Sequence, residues 1–383
     1  MDKRLILAKA GAGKTYYLCN ALDSTKRNLI IAFTNENVHN IENELIKRFG
    51  KIPDKTVVTT FHKFLYNNGV KPFEPSILKG LRDVTSTPDG LTIQSPPQKG
   101  FTKNKKWIPT PDFIESPYFG HYVHKSGSYY CSTISELLCI SKRKQLPMSH
   151  SIAERIKLLF DWVFIDEFQD FREYDFQILI DILQNLENIL LVGDYYQHSV
   201  SGKNNTGLPF KEGQTNVSYS RYKQRISDYG ITIDETSLVK SRRCTATVCT
   251  FIRNKLLIDI FSANPCPGDL IWPDVPQTVK LLQDPSIIKL VYRDAKKQNF
   301  NAINWSYSKG NTYDRVCVIL TRNLDGLNSD NFQLGKLSPT TLNKLYVALT
   351  RSKGDVFIIP QPIFKAAEKE LTSLVNSTSI TSK

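Results

Sequence analysis

Continuous apolar runs alternate along the chain with stretches in which apolar residues recur at helical spacing. The runs predict strands at Asn28–Phe33, Thr56–Thr60 and Asn188–Val192, and the spacing predicts helices at Glu36–Phe49 and Phe176–Leu186. Strands that alternate with helices favour parallel sheets, whose ligands lie at the carboxyl ends of the strands. The hydrophobic pattern therefore predicts an α/β protein.

The alternation is interrupted once and then resumes. Residues 70–150 are rich in Pro, Gly and Ser, with lysines and aromatic residues interleaved, which indicates an inserted basic subdomain. A second alternating region starts at about residue 236, and the polar segment after about residue 371 is expected to fray. The predicted units are a first domain, a small accessory subdomain and a second domain: residues 1–69 with 151–235, residues 70–150, and residues 236–383.

Composition narrows the class of protein. The 383 residues carry a formal net charge of +13, which favours an anionic polymer as a partner. Seven cysteines without a CxxC pair fit reduced thiols, and no apolar stretch approaches the roughly 18 residues of a membrane span. The N-terminus resembles neither a signal peptide nor a transit peptide. We therefore expect a cytoplasmic protein without a membrane partner.

The first candidate for chemistry is a glycine turn between the strand that contains Leu5–Leu7 and a helix start. In this turn Gly11, Ala12 and Gly13 would bring backbone N–H groups to phosphates, Lys14 would reach the terminal phosphates, and the Thr15 hydroxyl would ligate Mg²⁺. Ala8 stands where the usual pattern has its first glycine, and a small residue can suffice for that turn. The alternative is an ordinary strand-to-helix turn.

A second apolar strand, within residues 161–165, ends in the acidic segment DEFQD. Asp166 would supply a carboxylate for the metal ion, and Glu167 would act as the general base that activates water. The alternative is a solvated acidic turn. Because each segment supplies what the other lacks, together they predict a site for ATP and Mg²⁺.

The order of short segments along the chain resembles the UvrD/Rep-like branch of superfamily 1 helicases. Besides the phosphate loop and DEFQD, the matching segments are AFTN at 32–35, TFH at 60–62, LVGDYYQ at 191–197, SRRC at 241–244, WSYSKG at 305–310 with Asp314, and LYVALTRS at 345–352. The resemblance implies two RecA-like P-loop NTPase domains with parallel sheets. It also implies ATP hydrolysis coupled to 3′–5′ translocation on single-stranded DNA and to strand separation or remodelling.

The resemblance assigns roles to further residues. Gln197 would sense the terminal phosphate and the attacking water, and Arg243 and Arg351 would act as arginine fingers when the two domains close on ATP. Arg242 and Gly310 fall in segments that contribute to nucleotide binding, although the family usually has an aromatic residue at the position of Arg242. A surface ion pair is the alternative for Arg243.

The resemblance also predicts nucleic-acid contacts. The segments AFTN and TFH are expected on the strand-binding face, and WSYSKG includes an aromatic residue that could stack on a base. Phe33 could equally be the last core residue of its strand, and Trp305 could pack under its loop. The predicted nucleic-acid residues are Phe33, Thr34, Asn35, Thr60, Phe61, His62, Trp305 and Lys309.

The departures from the family leave a second function open. Only about 60 residues separate SRRC from WSYSKG, so the large accessory domain usually inserted there is missing. Residues 198–202 lack the family's aromatic residues. The alternative to a translocating helicase is a non-processive, ATP-gated DNA-binding subunit that regulates a nuclease or a phage-defence complex of the Gabija type. The insertion also contains four residues that could bind zinc: His121, His124, Cys131 and Cys139.

Overall fold

A computed structural model of the chain describes residues 2–103, 106–198, 207–213 and 215–380. It forms two compact units. The first contains residues 1–5, 15–192 and 206–233, and the second contains residues 6–14, 193–205 and 234–383. No described helix is both long enough and apolar enough to cross a bilayer.

The described strands are mostly short, and the longer ones belong to two central sheets. In chain order they are β1 Asp2–Leu7, β2 Asn28–Ala32, β3 Thr56–Thr60, β4 Leu91–Thr92, β5 Gly100–Lys103, β6 Lys106–Pro109, β7 Tyr129–Tyr130, β8 Lys142–Arg143, β9 Leu146–Pro147, β10 Trp162–Ile165, β11 Asn188–Gly193, β12 Lys211–Glu212, β13 Thr215–Asn216, β14 Thr232–Asp234, β15 Lys240–Ser241, β16 Phe261–Ser262, β17 Leu270–Ile271, β18 Ile288–Val291, β19 Ala302–Asn304, β20 Val316–Ile319 and β21 Val356–Ile359.

The described α-helices connect these strands and cover the sheets. In chain order they are α1 Lys14–Ala21, α2 Asn35–Phe49, α3 Phe61–Leu65, α4 Glu74–Leu78, α5 Phe119–Tyr122, α6 Ile134–Ile140, α7 Met148–Leu159, α8 Tyr174–Gln184, α9 Tyr219–Asp228, α10 Ala246–Leu256, α11 Val275–Gln283, α12 Pro339–Leu349 and α13 Gln361–Ile380.

The first sheet has six strands in the order β14-β1-β11-β10-β2-β3. Strand β10 pairs in parallel with β2 and β11, with Phe164 opposite Ile30 on one side and Leu190 on the other. All three side chains are buried, as expected for strands covered on both faces. Since the strands run parallel, the segments that follow them emerge at one edge of the sheet. The acidic segment that follows β10 therefore lies at this edge of the sheet.

The second unit contains a five-stranded parallel sheet in the order β17-β21-β20-β18-β19. Alternate residues of β20 face opposite sides: Val316 and Val318 belong to one core, and Cys317 and Ile319 belong to the other. The α/β class with parallel sheets, predicted from the hydrophobic pattern, is therefore confirmed.

Residues 70–150 belong to the first compact unit. Their core contains aromatic as well as aliphatic residues: Tyr122 and Tyr129 are buried, and the Tyr129 hydroxyl donates to Glu74 Oε1 at 3.0 Å. The small sheets of this segment are a parallel pair, β4 with β7, and two antiparallel hairpins, β5–β6 and β8–β9.

The C-terminal segment forms the helix α13, which ends at Ile380. Its first part packs on the second sheet through residues that include Phe364 and Ala367. The expectation that the segment after about residue 371 frays stays a prediction.

Candidate nucleotide site and nucleic-acid residues

The first unit brings together the predicted metal-binding pair. Thr15 lies in the first turn of α1, and Asp166 follows the last residue of β10. The Thr15 hydroxyl donates to Asp166 Oδ2 at 2.9 Å, and Asp166 is almost completely buried. Hydroxyl and carboxylate oxygens are ligands that suit Mg²⁺. The pair therefore fits a magnesium ion.

Glu167 has an unusual backbone conformation. Its φ of 53° and ψ of 44° lie in the left-handed region, which residues other than glycine rarely adopt. The Glu167 N–H donates to Asp166 Oδ1 at 2.8 Å, and the Gln169 side-chain amide donates to Glu167 Oε2. Residues held in this region cost roughly 1–3 kcal/mol and cluster at functional sites. The turn thus places two adjacent carboxylates, those of Asp166 and Glu167, directly after the end of β10.

The phosphate loop has the backbone conformation that its glycines allow. Gly11 and Gly13 have positive φ values of 71° and 88°, and Lys14 begins α1. Such a loop before a helix start presents N–H groups that can bind phosphate oxygens. The loop therefore fits the phosphates of a nucleotide.

Within the second unit the loop packs directly on the SRRC segment. The Arg242 N–H donates to the Gly11 carbonyl at 2.9 Å, and a Cβ atom on Gly11 would lie 2.7 Å from both Arg243 Cβ and Ser241 Oγ. Only glycine fits at residue 11 for two reasons, the positive φ and this close approach. The predicted nucleotide residues Gly11 and Arg242 are therefore in contact.

A buried hydrogen-bond network, which the sequence interpretation missed, also includes the phosphate loop. The Tyr346 hydroxyl accepts a hydrogen bond from the Ala10 N–H at 2.9 Å and donates to Asp194 Oδ2 at 3.2 Å. Gln197 Nε2 donates to the same carboxylate oxygen at 2.8 Å. Burial, followed by the charge of Asp194, raises the pKa of Tyr346 well above its ordinary value, so the hydroxyl remains a donor. The signal in the sequence is the tyrosine of LYVALTRS.

The two predicted arginine fingers differ in exposure. Arg243 is half-buried and donates to the Thr350 carbonyl at 3.1 Å. Arg351 is 1% exposed; its guanidinium donates to Val347 O at 2.8 Å and to Thr350 Oγ1 at 3.1 Å. Burial, and then the charge of Arg243, lowers the pKa of Arg351 to about 9, so it is still a cation at neutral pH.

The loop of WSYSKG occupies part of the same region of the second unit. Arg351 Nη1 lies 3.4 Å from the carbonyls of Ser308 and Asn311, which flank Lys309 and Gly310. Gly310 is exposed with φ of 90°, so the loop turns through a left-handed residue. The predicted residue Lys309 is half-buried. The loop that contains Lys309 and Gly310 therefore lies next to the buried guanidinium of Arg351.

The predicted nucleic-acid residues of the first unit have three different environments. Thr34 and Asn35 are exposed, and Thr34 Oγ1 also caps α2 by accepting from the Asn37 N–H at 3.1 Å. Phe33 is half-buried, with its ring edge-on to that of Phe171 at 5.6 Å. Both the core alternative and a partly exposed aromatic face therefore fit Phe33.

Phe61 is not available for base stacking. Thr60 and Phe61 are buried, and the Phe61 ring lies 4.8 Å from the ring of Phe171 in an edge-to-face contact. Phe61 begins α3 directly after β3, and its ring is turned into the core. Its assignment to the strand-binding face stays a prediction. His62 is half-buried, and burial lowers its pKa.

Trp305 is also a core residue. It is 0% exposed, its indole N–H donates to the Leu290 carbonyl at 3.0 Å, and its ring packs edge-on to Tyr292. Of the two alternatives for Trp305, packing under its loop is the one that fits this structure. Tyr307, two residues later, is 72% exposed and is the aromatic residue of this loop that a base could reach. Sequence alone could not distinguish the two rings.

The four candidate zinc ligands do not form a metal site. His121 bonds to Glu136 Oε2 and to the Ile114 carbonyl, whereas His124 bonds to Ser126 Oγ. Cys139 Sγ lies 3.7 Å from the Tyr174 carbonyl. Among the described residues no group of three or more His, Cys, Asp or Glu could hold a metal ion. The zinc hypothesis is therefore wrong for this structure.

Comparison with known families identifies the class of protein. Residues 2–203, more than half of the chain, match the family model of the AAA domain. The chain belongs to this AAA domain family. Membership implies nucleotide binding, usually with a divalent metal ion, and supports a nucleotide-dependent ATPase. A comparison with curated proteins finds no match.

Solved structures similar to this chain include two viral helicases. The first is Arterivirus nonstructural protein 10 (helicase) in complex with DNA: 12% identity, 93% of this chain and 60% of that chain covered, and a TM-score of 0.45. The second is the PRRSV helicase: 14% identity, 97% of this chain and 53% of that chain covered, and a TM-score of 0.42. The chain spans 60% or less of the length of these two proteins.

Proposed function

We propose that the protein is a DNA-dependent ATPase of the superfamily 1 helicase type, which translocates on single-stranded DNA. The observation that carries the proposal is the Thr15–Asp166 hydrogen bond at the end of β10, beside the left-handed Glu167. A hydroxyl and a carboxylate that can share a metal ion, followed by a second carboxylate, form the arrangement that phosphoryl transfer to water requires.

Each residue then has a distinct task. The N–H groups of Gly11–Gly13 bind the phosphates, and Lys14 neutralises charge on the terminal ones. Thr15 and Asp166 would hold a magnesium ion, which when bound would neutralise charge on the phosphate oxygens. Glu167 accepts the proton of the attacking water, and Gln197 orients that water.

The arginines supply positive charge to the transferring phosphoryl group. Arg243 is half-buried and lies beside the phosphate loop through the Arg242–Gly11 contact, which supports a direct role. Arg351 is buried and bonded to backbone carbonyls, which supports electrostatic stabilisation from a fixed position. A preorganised cation stabilises developing charge without a cost of reorganisation during the reaction.

The ligand class is proposed from charge and from the exposed residues. A net charge of +13 favours a polyanion, and Thr34, Asn35 and Tyr307 are exposed polar or aromatic residues in segments that resemble the family's strand-binding segments. Single-stranded DNA would therefore bind through phosphate contacts and base stacking. Its binding is expected to weaken steeply with salt.

The test compares nucleotide hydrolysis and nucleotide binding in matched variants. Lys14→Ala should weaken ATP binding, whereas Glu167→Gln should bind ATP normally and reduce kcat by roughly 10²–10⁴-fold, because it removes only the general base. Glu187→Gln makes the same chemical change at an exposed position and should leave turnover unchanged. Hydrolysis is measured with and without single-stranded DNA, and binding with a fluorescent ATP analogue.

Two results would argue against the proposal. Normal turnover of Glu167→Gln would remove Glu167 from its role. Equal turnover with and without nucleic acid would favour the second candidate, a non-processive ATP-gated subunit of a nuclease or defence complex. That candidate is favoured by one observation: residues 246–304 are all described and form α10, α11 and β16–β19 of the second unit, rather than a separate accessory domain.

A further inference from the structure

The hairpin β5–β6 in the insertion is unusually basic and exposed. Residues 90–111 include four lysines and no Asp or Glu. Lys99, Lys103 and Lys106 are exposed and form no ion pair with any residue in the described parts of the chain. A positive surface without internal neutralisation attracts a polyanion.

On one face of this hairpin, the indole ring of Trp107 packs against Gly100. Trp107 pairs with Thr102 across the two strands and therefore shares a face with Gly100. A Cβ atom on Gly100 would lie 2.5 Å from Trp107 Cζ2, so the indole is seated on the glycine backbone. The ring nevertheless remains 59% exposed. One side of the indole is thus supported, and much of its surface is open to solvent.

The other face pairs apolar residues with lysines. Phe101 lies opposite Ile108, and Lys103 lies opposite Lys106. All four side chains are exposed. Like charges directly opposite each other destabilise an antiparallel pair, and an anion between them would reverse that effect.

We infer that the hairpin β5–β6 is a second binding element for single-stranded nucleic acid. A base stacks on Trp107 on one face, and the strand passes around the edge of the hairpin so that backbone phosphates contact Lys103 and Lys106 on the other face. A supported aromatic ring next to cationic side chains is the arrangement that binds unpaired nucleotides without sequence preference. The inference rests on the proposed function only for the class of ligand, since the binding step needs no ATP.

The positive charge of the hairpin favours nucleic acid over an apolar protein surface as the ligand. A protein partner that covered Phe101 and Ile108 would also bury Lys103 and Lys106 on the same face, at a high cost without acidic partners. Nucleic acid offers both bases that can stack on an aromatic ring and phosphates that can pair with lysines. The surface of an anionic membrane is the remaining alternative, and the experiment distinguishes it.

Stacking is measured without ATP, with a 16-nucleotide oligothymidine and an abasic oligomer of equal charge. Wild type should bind the normal strand about 5- to 150-fold more tightly than Trp107→Ala, the range expected for one stacked base. The two proteins should bind the abasic strand equally. Trp107→Phe should retain most of the affinity, and Ile93→Ala, a truncation at a 94% exposed apolar residue of the same insertion, should leave it unchanged.

Tryptophan fluorescence gives an independent readout. Trp107 is the exposed one of the four tryptophans, so stacking should quench the emission of wild type and leave that of Trp107→Phe unchanged. Quenching of equal size in both proteins would overturn the assignment to Trp107.

Salt dependence tests the lysines. Lys103→Gln with Lys106→Gln should reduce the slope of log affinity against log salt by roughly 1.4, the value for two phosphates of a single strand. Lys125→Gln with Lys142→Gln removes the same charge from exposed positions outside the hairpin and should keep the slope. An unchanged slope in the hairpin variant would overturn the phosphate contacts.

Two outcomes separate this inference from its alternatives. If Trp107→Ala binds oligothymidine as wild type does but loses binding to phosphatidylserine vesicles, the hairpin is a membrane-binding element and the inference is wrong. If Trp107-dependent binding is found but DNA leaves ATP hydrolysis unchanged, the hairpin assignment stands and the proposed function fails.

Discussion

At the scale of single residues, the Tyr346 hydroxyl links the phosphate loop to Asp194, and removing it tests the network directly. Tyr346→Phe deletes one oxygen atom and leaves the Ala10 N–H without its acceptor. An unsatisfied buried donor costs about 1–3 kcal/mol. We expect the free energy of unfolding to fall by this amount and kcat/KM for ATP to fall with it, measured by urea unfolding and by steady-state hydrolysis.

Tyr174→Phe is the matched control, because it removes the same hydroxyl from an exposed side chain to which no role is assigned. It should change neither stability nor hydrolysis. Unchanged stability and kinetics in Tyr346→Phe would mean that the network has no part in shaping the loop. Lower stability with unchanged kinetics would limit it to a structural role.

At the scale of elements, the contact between α6 and α8 predicts a dependence of stability on pH. Ser135 Oγ donates to Asp175 Oδ1 at 2.5 Å, and burial raises the pKa of Asp175 to about 6. A carboxyl group whose pKa rises on folding stabilises the folded state below its unfolded pKa of about 4. This contribution is lost as the pH rises through about 6.

We therefore expect the wild type to lose stability relative to Asp175→Asn between pH 4 and pH 8. The difference should be about 1–2 kcal/mol, less than the full shift implies because the side chain keeps some contact with water. Chemical denaturation at several pH values measures it. The free energy of unfolding of Asp112→Asn, a change at an exposed carboxylate, should depend on pH in the same way as that of wild type. The same pH dependence in Asp175→Asn would contradict the prediction.

At the scale of the whole molecule, the chain divides into two compact units. Residues 246–304 form strands and helices of the second unit, so no accessory domain is inserted among them. Separation of a base pair costs about 1.4 kcal/mol on average, and each base that stacks on the protein contributes roughly 1–3 kcal/mol of binding free energy. The free energy from one stacked base is therefore close to that needed to open one base pair.

We expect the isolated protein to hydrolyse ATP and to separate short duplexes while failing on long ones. Strand displacement on duplexes of graded length measures this, with Glu167→Gln as the inactive control. Efficient separation of long duplexes by the isolated chain would show that the missing domain is not needed for grip.

The strands and the acidic segment were predictable because their signals are local. The apolar runs around Ile30, Phe164 and Leu190 mark strands buried on both faces, and the structure places them side by side in one parallel sheet. A phosphate loop needs only small residues, a lysine and a hydroxyl at fixed spacing, so Gly11–Thr15 could be identified from the sequence alone. The roles of these residues in hydrolysis stay predictions.

The exposure of aromatic residues was not predictable in the same way. Trp305 and Tyr307 lie two residues apart in one polar loop, yet one is a core residue and the other is exposed. Phe61 likewise turns inward against Phe171, a residue more than a hundred positions away in the sequence. Burial of a single ring depends on long-range packing, which has no periodicity along the chain.

The sequence by itself therefore determined the α/β class, the paired carboxylates after β10 and the glycine loop, because each follows from local spacing and backbone chemistry. Only the tertiary structure decided that Tyr346 bonds to a loop residue 336 positions earlier. It likewise decided that Glu167 adopts a left-handed backbone and that Trp107 is seated on Gly100. These features arise where separate segments meet, and the side chains compete there for space and hydrogen bonds.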